Sequence, residues 1–282
     1  MMKQKNMKAG VEIGFWGVRG SIPSHSFKNL RYGGHTACVS LHYKGSWFIC
    51  DAGTGIRELG EKLARIKEPI SLFLSHLHWD HVFGLPFFKP LYQKKRKIIL
   101  AGPSIGRRSF KALLSKIMHP PYFPIGPVAW NSNVEWKSME SGSQKLGKVR
   151  ISTRPVKHSD KTLGFEFTFP GGVRVIYVAD QELSLKDIGF ARWIKGADVL
   201  IHDAQYDKKE YAKHKGWGHS SFETLLEVAM KAGVKKLVLS HHDPNATDAL
   251  LEKRLSWCIR RARLCKNPIK IFIGKEGTTL VV

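Results

Sequence analysis

The amino-acid sequence predicts an α/β protein in which short strands outnumber the helices between them. Runs rich in Val, Ile, Leu and Phe recur along the 282 residues, and each ends in Asp, His or Gly, as in "SWFICDAG", "PISLFLSH", "ADVLIHD" and "KKLVLSHH". The segments "GIRELGEKLARI" and "SSFETLLEVAMKAG" have the apolar spacing that predicts helices. In the second, Ser220 and Glu223 fit a capping box and Gly233 fits a C-terminal stop, so we expect a helix over 220–232.

The predicted strands fall into two stretches of the chain with a similar pattern of secondary structure. Val11 to about Gly102 contains mainly strands with one helix, and a second such stretch begins near Lys148. The Pro-rich segment "IMHPPYFPIGPVAW" between them is typical of an irregular loop. We therefore expect a single domain over residues 1–282, built of two β/α halves, with residues 1–10 as a flexible basic tail.

The composition restricts the classes of function. Lys and Arg number 46 against 23 Asp and Glu, a formal net charge of +23, which attracts phosphates and favours an anionic substrate or nucleic acid. A generally solvated basic surface explains the charge equally well. There is no signal-peptide pattern and no run of roughly 20 apolar residues, so we expect a cytoplasmic protein without a membrane segment. No C-x-x-C spacing occurs, which predicts buried free thiols at Cys38, Cys50, Cys258 and Cys265.

One short segment, "FLSHLHWDHVFGLP", contains His76, His78, Asp80 and His81 directly after a predicted strand. Imidazoles and carboxylates are costly to bury unless they share a partner, and a metal ion is such a partner. Adjacent Asp80 and His81 point in different directions, which suits two neighbouring ions. Trp79 between them is expected to serve packing.

Further ligating side chains follow later strands. Each alone is more often structural, but together they indicate one site: His158, Asp180, His202, Asp203, His219 and His241.

"HLHWDH" resembles the H-x-H-x-D-H signature of the metallo-β-lactamase superfamily, and the later histidines and aspartates occur in that superfamily's order. Segments such as "RYGGHTACVSL", "DAGTGIREL" and "GKEGTTLVV" extend the resemblance nearly end to end, toward the branch that includes tRNase Z and cyclic-nucleotide phosphodiesterases. The resemblance implies an α/β fold, a four-layer αββα sandwich of two β-sheets flanked by helices.

The resemblance also implies the metal ligands. His76, His78 and His158 would bind one ion, Asp80, His81 and His241 a second, and Asp180 would bridge the two. His241 is preferred over His242 because it directly follows the strand-ending Ser240. Neutral imidazoles and carboxylates suit two divalent ions, zinc or manganese, with iron(II) as the alternative.

The segments "HDA" and "GHS" resemble the acid–base pair of the phosphodiesterase branch, with Asp203 in place of glutamate. His219 would protonate the leaving oxygen while Asp203 orients it, and Asp80 completes the predicted catalytic residues. The alternative is that His219 merely precedes a helix cap. Asp51 in "DAGTG" is expected to organise the metal loops by hydrogen bonds, and His35 replaces the asparagine of the commoner "RYGGNT".

We expect a dinuclear hydrolase of small anionic phosphodiesters, cyclic nucleotides above all, with Met118 to Phe123 and Trp217 shaping the pocket. The connections from Lys161 to Tyr177 are short and leave no room for a tRNA-gripping arm. The alternative is a nuclease acting on RNA or DNA, which the charge and the runs "KKRK", "GRRSFK" and "RRAR" favour. A non-catalytic metal-binding or sensing module is the third hypothesis, and a homodimer is expected only by analogy with relatives.

Overall fold

The computed structural model describes residues 10–264 and 268–282. The predicted basic tail, apart from Gly10, and the predicted thiol of Cys265 lie outside the described residues. Cys38, Cys50 and Cys258 are buried and free, as predicted. Within the described ranges, no helix is both long and apolar enough to cross a membrane.

Two seven-stranded sheets form the centre of the described chain. The first has the order β14-β1-β2-β3-β4-β5-β6, and its strands are β1 Glu12–Gly17, β2 Cys38–Tyr43, β3 Ser46–Cys50, β4 Ile70–Phe73, β5 Lys97–Pro103, β6 Asn133–Met139 and β14 Thr279–Val281. The second has the order β13-β12-β11-β10-β9-β8-β7, and its strands are β7 Gly142–Leu146, β8 Val149–Val156, β9 Thr162–Thr168, β10 Arg174–Val178, β11 Val199–Asp203, β12 Lys236–Ser240 and β13 Lys270–Ile273.

Helices cover the outer faces of both sheets. On the first sheet lie α1 Ile56–Leu63 and α3 Phe110–Ile117, and on the second lie α4 Ile188–Ile194, α6 Phe222–Lys231 and α7 Asp248–Ala262. Two short helices, α2 Trp79–Val82 and α5 Lys208–Lys213, belong to loops. The predicted αββα fold class is therefore confirmed, with one half of the chain in each sheet and β14 returning to pair with β1.

The main core lies between the two sheets, where aromatic side chains from both faces interlock. Phe73 of β4 contacts Phe165 and Phe167 of β9, with ring centroids 5.7 and 5.6 Å apart. All three side chains are fully buried. Replacing such a phenylalanine by alanine costs about 3–5 kcal/mol of folding free energy, because the cavity cannot be filled by its neighbours.

The parallel strands explain why distant residues meet. β3, β4 and β5 run parallel in the first sheet, and β10, β11 and β12 run parallel in the second. Because parallel strands end at the same edge, the loops that follow β4, β10, β11 and β12 gather there. Every predicted ligand and acid–base residue except His158 and His219 stands at one of these strand ends or just after it.

The helix predicted over 220–232 spans Phe222–Lys231, and its N-cap lies one residue after the predicted cap. Its N-cap is Ser221, whose side chain accepts a hydrogen bond from the Thr224 amide, so the capping box on Ser220 was wrong. The Ser220 hydroxyl instead donates to the Gln181 carbonyl, which joins the helix to the loop after β10. Gly233 follows the helix with φ 67°, which confirms the predicted stop.

Candidate metal centre

The segment that follows β4 turns sharply into the one-turn helix α2. His78 is its N-cap, with extended backbone at φ −65° and ψ 152°, and Asp80 and His81 lie within the turn. His76 and His81 are almost fully buried and Asp80 is nearly so. The local sequence therefore presents four ligating side chains from one short loop, as predicted.

His76, His78, His158 and Asp180 form the first set of potential ligands, which we call the outer group. One ligating atom from each lies within 4.8 Å of the others. Asp180 Oδ2 is 3.6 Å from His76 Nε2 and 3.4 Å from His158 Nε2. His78 Nδ1 is 3.2 Å from His158 Nε2.

Asp80, His81, Asp180 and His241 form the second set, which we call the inner group. His241 Nε2 lies 3.0 Å from Asp180 Oδ1 and 3.3 Å from His81 Nε2. Asp80 Oδ2 is 3.1 Å from Nε2 of both histidines. Asp180 therefore faces the outer group with Oδ2 and the inner group with Oδ1, the arrangement expected of a bridging carboxylate.

The donor set fits divalent metal ions. His76 Nε2 and Asp180 Oδ1 are buried and make no hydrogen bond, although polar atoms so placed are normally satisfied. Nitrogen and oxygen donors without thiolate suit zinc, manganese or iron(II). A cation between these atoms would supply the missing partner, so the superfamily fold and the clustered histidines and aspartates both indicate divalent metal binding.

The electrostatics of the centre agree with this interpretation. Burial alone would raise the pKa of Asp180, but His241, His81 and His76 hold it well below its usual value. Burial would likewise raise the pKa of Asp80, and His81 and His241 lower it strongly. Burial lowers the pKa of His76, so its imidazole is neutral and able to ligate.

Asp51 supports the inner group by hydrogen-bonding the ring nitrogen of His81 that faces away from the other ligands. Its Oδ2 accepts hydrogen bonds from His81 Nδ1 at 2.9 Å, Tyr177 Oη at 2.8 Å and Ser75 Oγ at 3.0 Å, while Oδ1 accepts from the Ser75 amide at 2.7 Å. A fully buried carboxylate with four donors fixes the ring orientation of His81. The structure thus brings Asp51 to the place that the sequence indicated.

Other supporting contacts were not foreseen from the sequence. His241 Nδ1 is 3.0 Å from Gln205 Oε1, and the Ser21 amide donates to Asp80 Oδ2 at 2.7 Å. In the outer group, His78 Nε2 is 3.1 Å from Asp160 Oδ2. Gln205 directly follows "HDA" and Asp160 lies two residues after the predicted ligand His158, so their positions could have suggested them, whereas Ser21 is distant in sequence from every predicted ligand.

Gly218 supports the outer group through its backbone. His158 Nδ1 donates to the Gly218 carbonyl at 2.8 Å. Gly218 has φ 86°, and a Cβ there would lie 2.1 Å from His158 Nδ1, so only glycine permits this approach. The glycine of the "GHS" segment therefore has a structural role in addition to the role expected of its histidine.

The predicted pair of His219 and Asp203 forms as expected. His219 Nδ1 lies 3.1 Å from Asp203 Oδ2, and the amides of Ser220 and Gln205 also donate to this carboxylate. The His219 ring stacks on that of His241, with centroids 5.1 Å apart. Burial would lower the pKa of His219, but Asp203 raises it to about 9. Because Asp203 is already occupied by these donors, it is better placed to orient His219 than to bind metal.

His202, His242 and His35 lie outside both ligand groups. His202 is buried against Gln181 and the Asp203 carbonyl. The structure brings His241 into the inner group and leaves His242 buried with neither ring nitrogen hydrogen-bonded. His35 contacts Thr54 at 3.2 Å, and its amide donates to Glu276, so its ring belongs to the supporting loops.

One prediction about an aromatic residue, that Trp79 serves packing, was wrong. Trp79 does not pack in the core, because it is 74% exposed and lines an apolar pocket. Met118, Tyr122 and Phe123 line the same pocket, whereas Trp217 contacts the His214 ring and is not among the walls of this pocket. The role of these residues in a substrate pocket stays a prediction.

Two stacked seven-stranded sheets, flanked by helices and carrying clustered histidines and aspartates at the ends of parallel strands, define a metal-binding protein of the metallo-β-lactamase fold. The model of a family described as "Beta-lactamase superfamily domain" matches residues 46–242. The chain therefore belongs to the β-lactamase superfamily, and the family predicted from the sequence is confirmed.

Named relatives share the fold over most of their length. A ribonuclease Z of Sulfurisphaera tokodaii is 27% identical over 238 residues, which cover 71% of this chain and 79% of the relative. The metallo-β-lactamase fold protein YhfI from Bacillus subtilis superposes with a TM-score of 0.72 at 16% identity, covering 98% of this chain and 100% of that one. Unliganded yeast PDE1 superposes with a TM-score of 0.70 at 13% identity, covering 97% and 100%.

Proposed function

We propose that the protein is a metal-dependent hydrolase of phosphodiester bonds and that its substrates are small, cyclic nucleotides above all. The observation that carries the proposal is the position of His219. Asp203 holds this imidazole, and it stacks directly on the inner-group ligand His241. An oriented acid–base group beside a cluster of metal ligands is what phosphodiester cleavage requires.

The proposed ligands are those of the outer and inner groups, with Asp180 shared. Two divalent ions, zinc or manganese, would supply Lewis acidity to the phosphoryl oxygens and lower the pKa of a bound water. The proton that the leaving oxygen needs comes from a side chain of the protein. His219 donates through Nε2 to the leaving oxygen, and Asp203 keeps Nδ1 protonated and the ring in place. Asp80 accepts a hydrogen bond from the Ser21 amide, which fixes this inner-group residue beside His219.

The loop that contains His219 is anchored at its other end. Glu182 Oε1 accepts hydrogen bonds from Tyr211 Oη at 2.8 Å and from the Gly216 amide at 3.2 Å. Glu182 itself follows β10 closely, and its amide donates to the Lys157 carbonyl. The segment 208–218 is thus tied to the strand ends that carry the ligands, which keeps His219 in position for catalysis.

A compact substrate is favoured by the short connection between β9 and β10. These strands pair directly, and residues 169–173 form the whole turn between them. No arm for gripping a large nucleic acid extends at this point of the described chain.

A nuclease is the second candidate, and a particular cluster of charges favours it. Lys208, Lys209, Lys213 and Lys215 are exposed on the segment that leads to His219. Exposed lysines beside a cleavage site attract a phosphate backbone. The predicted basic run "KKRK" contributes less than expected, because the buried Arg96 donates to the carbonyls of Ile66 and Glu68.

The test is a substrate panel with zinc- and manganese-reconstituted protein. We expect turnover of bis-p-nitrophenyl phosphate and of cyclic AMP, slower or absent cleavage of short RNAs, and loss of activity in Asp80→Ala. Glu61→Ala, which removes an exposed carboxylate paired with Lys89, is the matched control and should be fully active. Cleavage of RNA with a steep salt dependence would select the nuclease. No hydrolysis with either metal would refute both candidates.

A further inference from the structure

An apolar pocket of about 380 Å³ opens next to the metal centre. Its walls include Trp79 from α2, Phe83 and Phe87 just beyond that helix, and Met118, Tyr122 and Phe123 from the Pro-rich segment after α3. No charged side chain lines it. The volume is within the range of small-molecule sites, roughly 300–1,000 Å³.

The aromatic walls are exposed although they are large and apolar. Trp79, Phe83, Phe87 and Tyr122 have exposed fractions of 74%, 60%, 53% and 71%. Phe87 and Phe123 meet edge to face, with ring centroids 6.1 Å apart, so the two segments form one surface. Exposed apolar residues that are scattered singly need no explanation, but a contiguous group of them marks a binding site.

The pocket and the inner group share the short helix α2, which contributes Trp79 and Val82 to the pocket and Asp80 and His81 to the inner group. Trp79 stands between His78 and Asp80, and its carbonyl accepts the Phe83 amide at 2.8 Å. Residues four apart share one face of a helical turn, so Trp79 and Phe83 line the pocket while Asp80 faces the ligands. Because a helix with its side chains is about 10–12 Å across, the pocket and the metal centre lie near enough for one small substrate to contact both.

The chemistry of the walls selects the group that fits. Aromatic faces stack well on flat rings, and every nucleobase or aryl ring offers such a face. A polyanionic backbone gains nothing there, because the pocket offers no cation to its phosphates. The exposed lysines of 208–215 belong to a different segment of the site.

We propose that this pocket binds the planar aromatic ring of the substrate, so that the enzyme acts on phosphodiesters of nucleosides or aryl alcohols and discriminates against alkyl esters. The assignment to a substrate rests on the proposed function, since that function places the phosphate at the metal centre. Trp79 is the residue that makes the principal contact with the ring.

Ring binding can be measured without turnover. Saturation-transfer NMR and calorimetric titration of the purified protein would use AMP, phenyl phosphate, ribose 5-phosphate and decyl phosphate as probes. We expect AMP or phenyl phosphate to bind about tenfold more tightly than ribose 5-phosphate, with saturation strongest on the ring protons. AMP above phenyl phosphate would identify a nucleobase site, and the reverse order an aryl site.

The variants isolate the contribution of the ring of Trp79. Trp79→Ala should remove most of the preference for ring-bearing probes, and Trp79→Phe should retain much of it. Trp257→Ala, a tryptophan on α7 outside the pocket, should leave the preference unchanged. Because Trp79 is largely exposed, these variants should fold, which melting curves and metal content would check.

The outcomes separate the two proposals. Ring binding that depends on Trp79, without hydrolysis of any phosphodiester, would sustain the pocket and overturn the proposed function. Hydrolysis with an unchanged ring preference in Trp79→Ala would sustain the function and overturn the pocket. Tighter binding of decyl phosphate than of phenyl phosphate would also overturn the assignment to a planar ring.

Discussion

The outer and inner groups share Asp180 but differ in how the rest of the chain supports them. All four inner residues are buried, whereas His78 and His158 of the outer group are only partly so. His81 is held by the fully buried Asp51, while His78 rests on Asp160, whose side chain is 65% exposed. A buried charge is weakly screened and a surface one strongly. We therefore expect the inner group to bind its ion more tightly than the outer group, which is more open to solvent.

The largest effect should follow from removing the residue that the two groups share. Asp180→Ala takes a donor from both, so we expect loss of both ions and a fall in kcat/KM of about 10³-fold, equivalent to about 4 kcal/mol of transition-state stabilisation. Metal analysis by plasma mass spectrometry and kinetics on bis-p-nitrophenyl phosphate would measure this. One ion retained at full occupancy would contradict a bridging role.

The next effect concerns His219, which stacks on the inner group. His219→Ala should lower kcat for cyclic AMP by about 10²-fold, because a poor leaving group needs its proton. With p-nitrophenolate as leaving group the loss should be much smaller, and metal content should be unchanged. Equal losses on both substrates would indicate a structural role, the alternative considered from the sequence.

A matched pair of variants tests the difference in support directly. Asp51→Asn should weaken metal affinity about 10- to 100-fold, because the buried carboxylate orients His81. Asp160→Asn should change it by less than about threefold, because an exposed contact of this kind contributes little. Calorimetric titration of the demetallated variants with zinc would give both values. Similar losses in the two variants would remove the distinction between the groups.

The smallest effect is a difference in exchange rate between the two ions. Stepwise chelation of the wild-type protein should remove one ion before the other. In His78→Ala the ion that leaves first should be missing from the start, with the second retained. Simultaneous loss of both ions at one chelator concentration would mean that the groups act as a single unit.

The sequence singled out the residues of the two groups because most of them occur in short motifs, and their roles as ligands remain predictions. His76, His78, Asp80 and His81 stand within six residues, and the spacing alone indicated metal. Asp180, His158 and His241 required the order known from the superfamily, since separate strands bring them together. The fold class followed from the same resemblance. The single-domain boundary, the homodimer and the choice of metal remain predictions.

The errors have a common physical cause, because each depends on contacts between distant parts of the chain. Ser220 looks like a cap until the Gln181 carbonyl takes its hydroxyl. In the sequence Arg96 appears as part of a basic surface, but in the structure it is buried and donates to the Glu68 carbonyl. Trp79 looks like packing until the segment after α3 forms the opposite wall of a pocket. None of these partners is near in sequence.

The central claim is that one carboxylate joins two metal sites of unequal burial. Anomalous diffraction from crystals of the manganese- or zinc-loaded protein tests it most directly. We predict two peaks, one within the outer group and one within the inner group, with Asp180 between them and the inner peak at the higher occupancy. A single peak, or two peaks of which only one is near Asp180, would contradict the account.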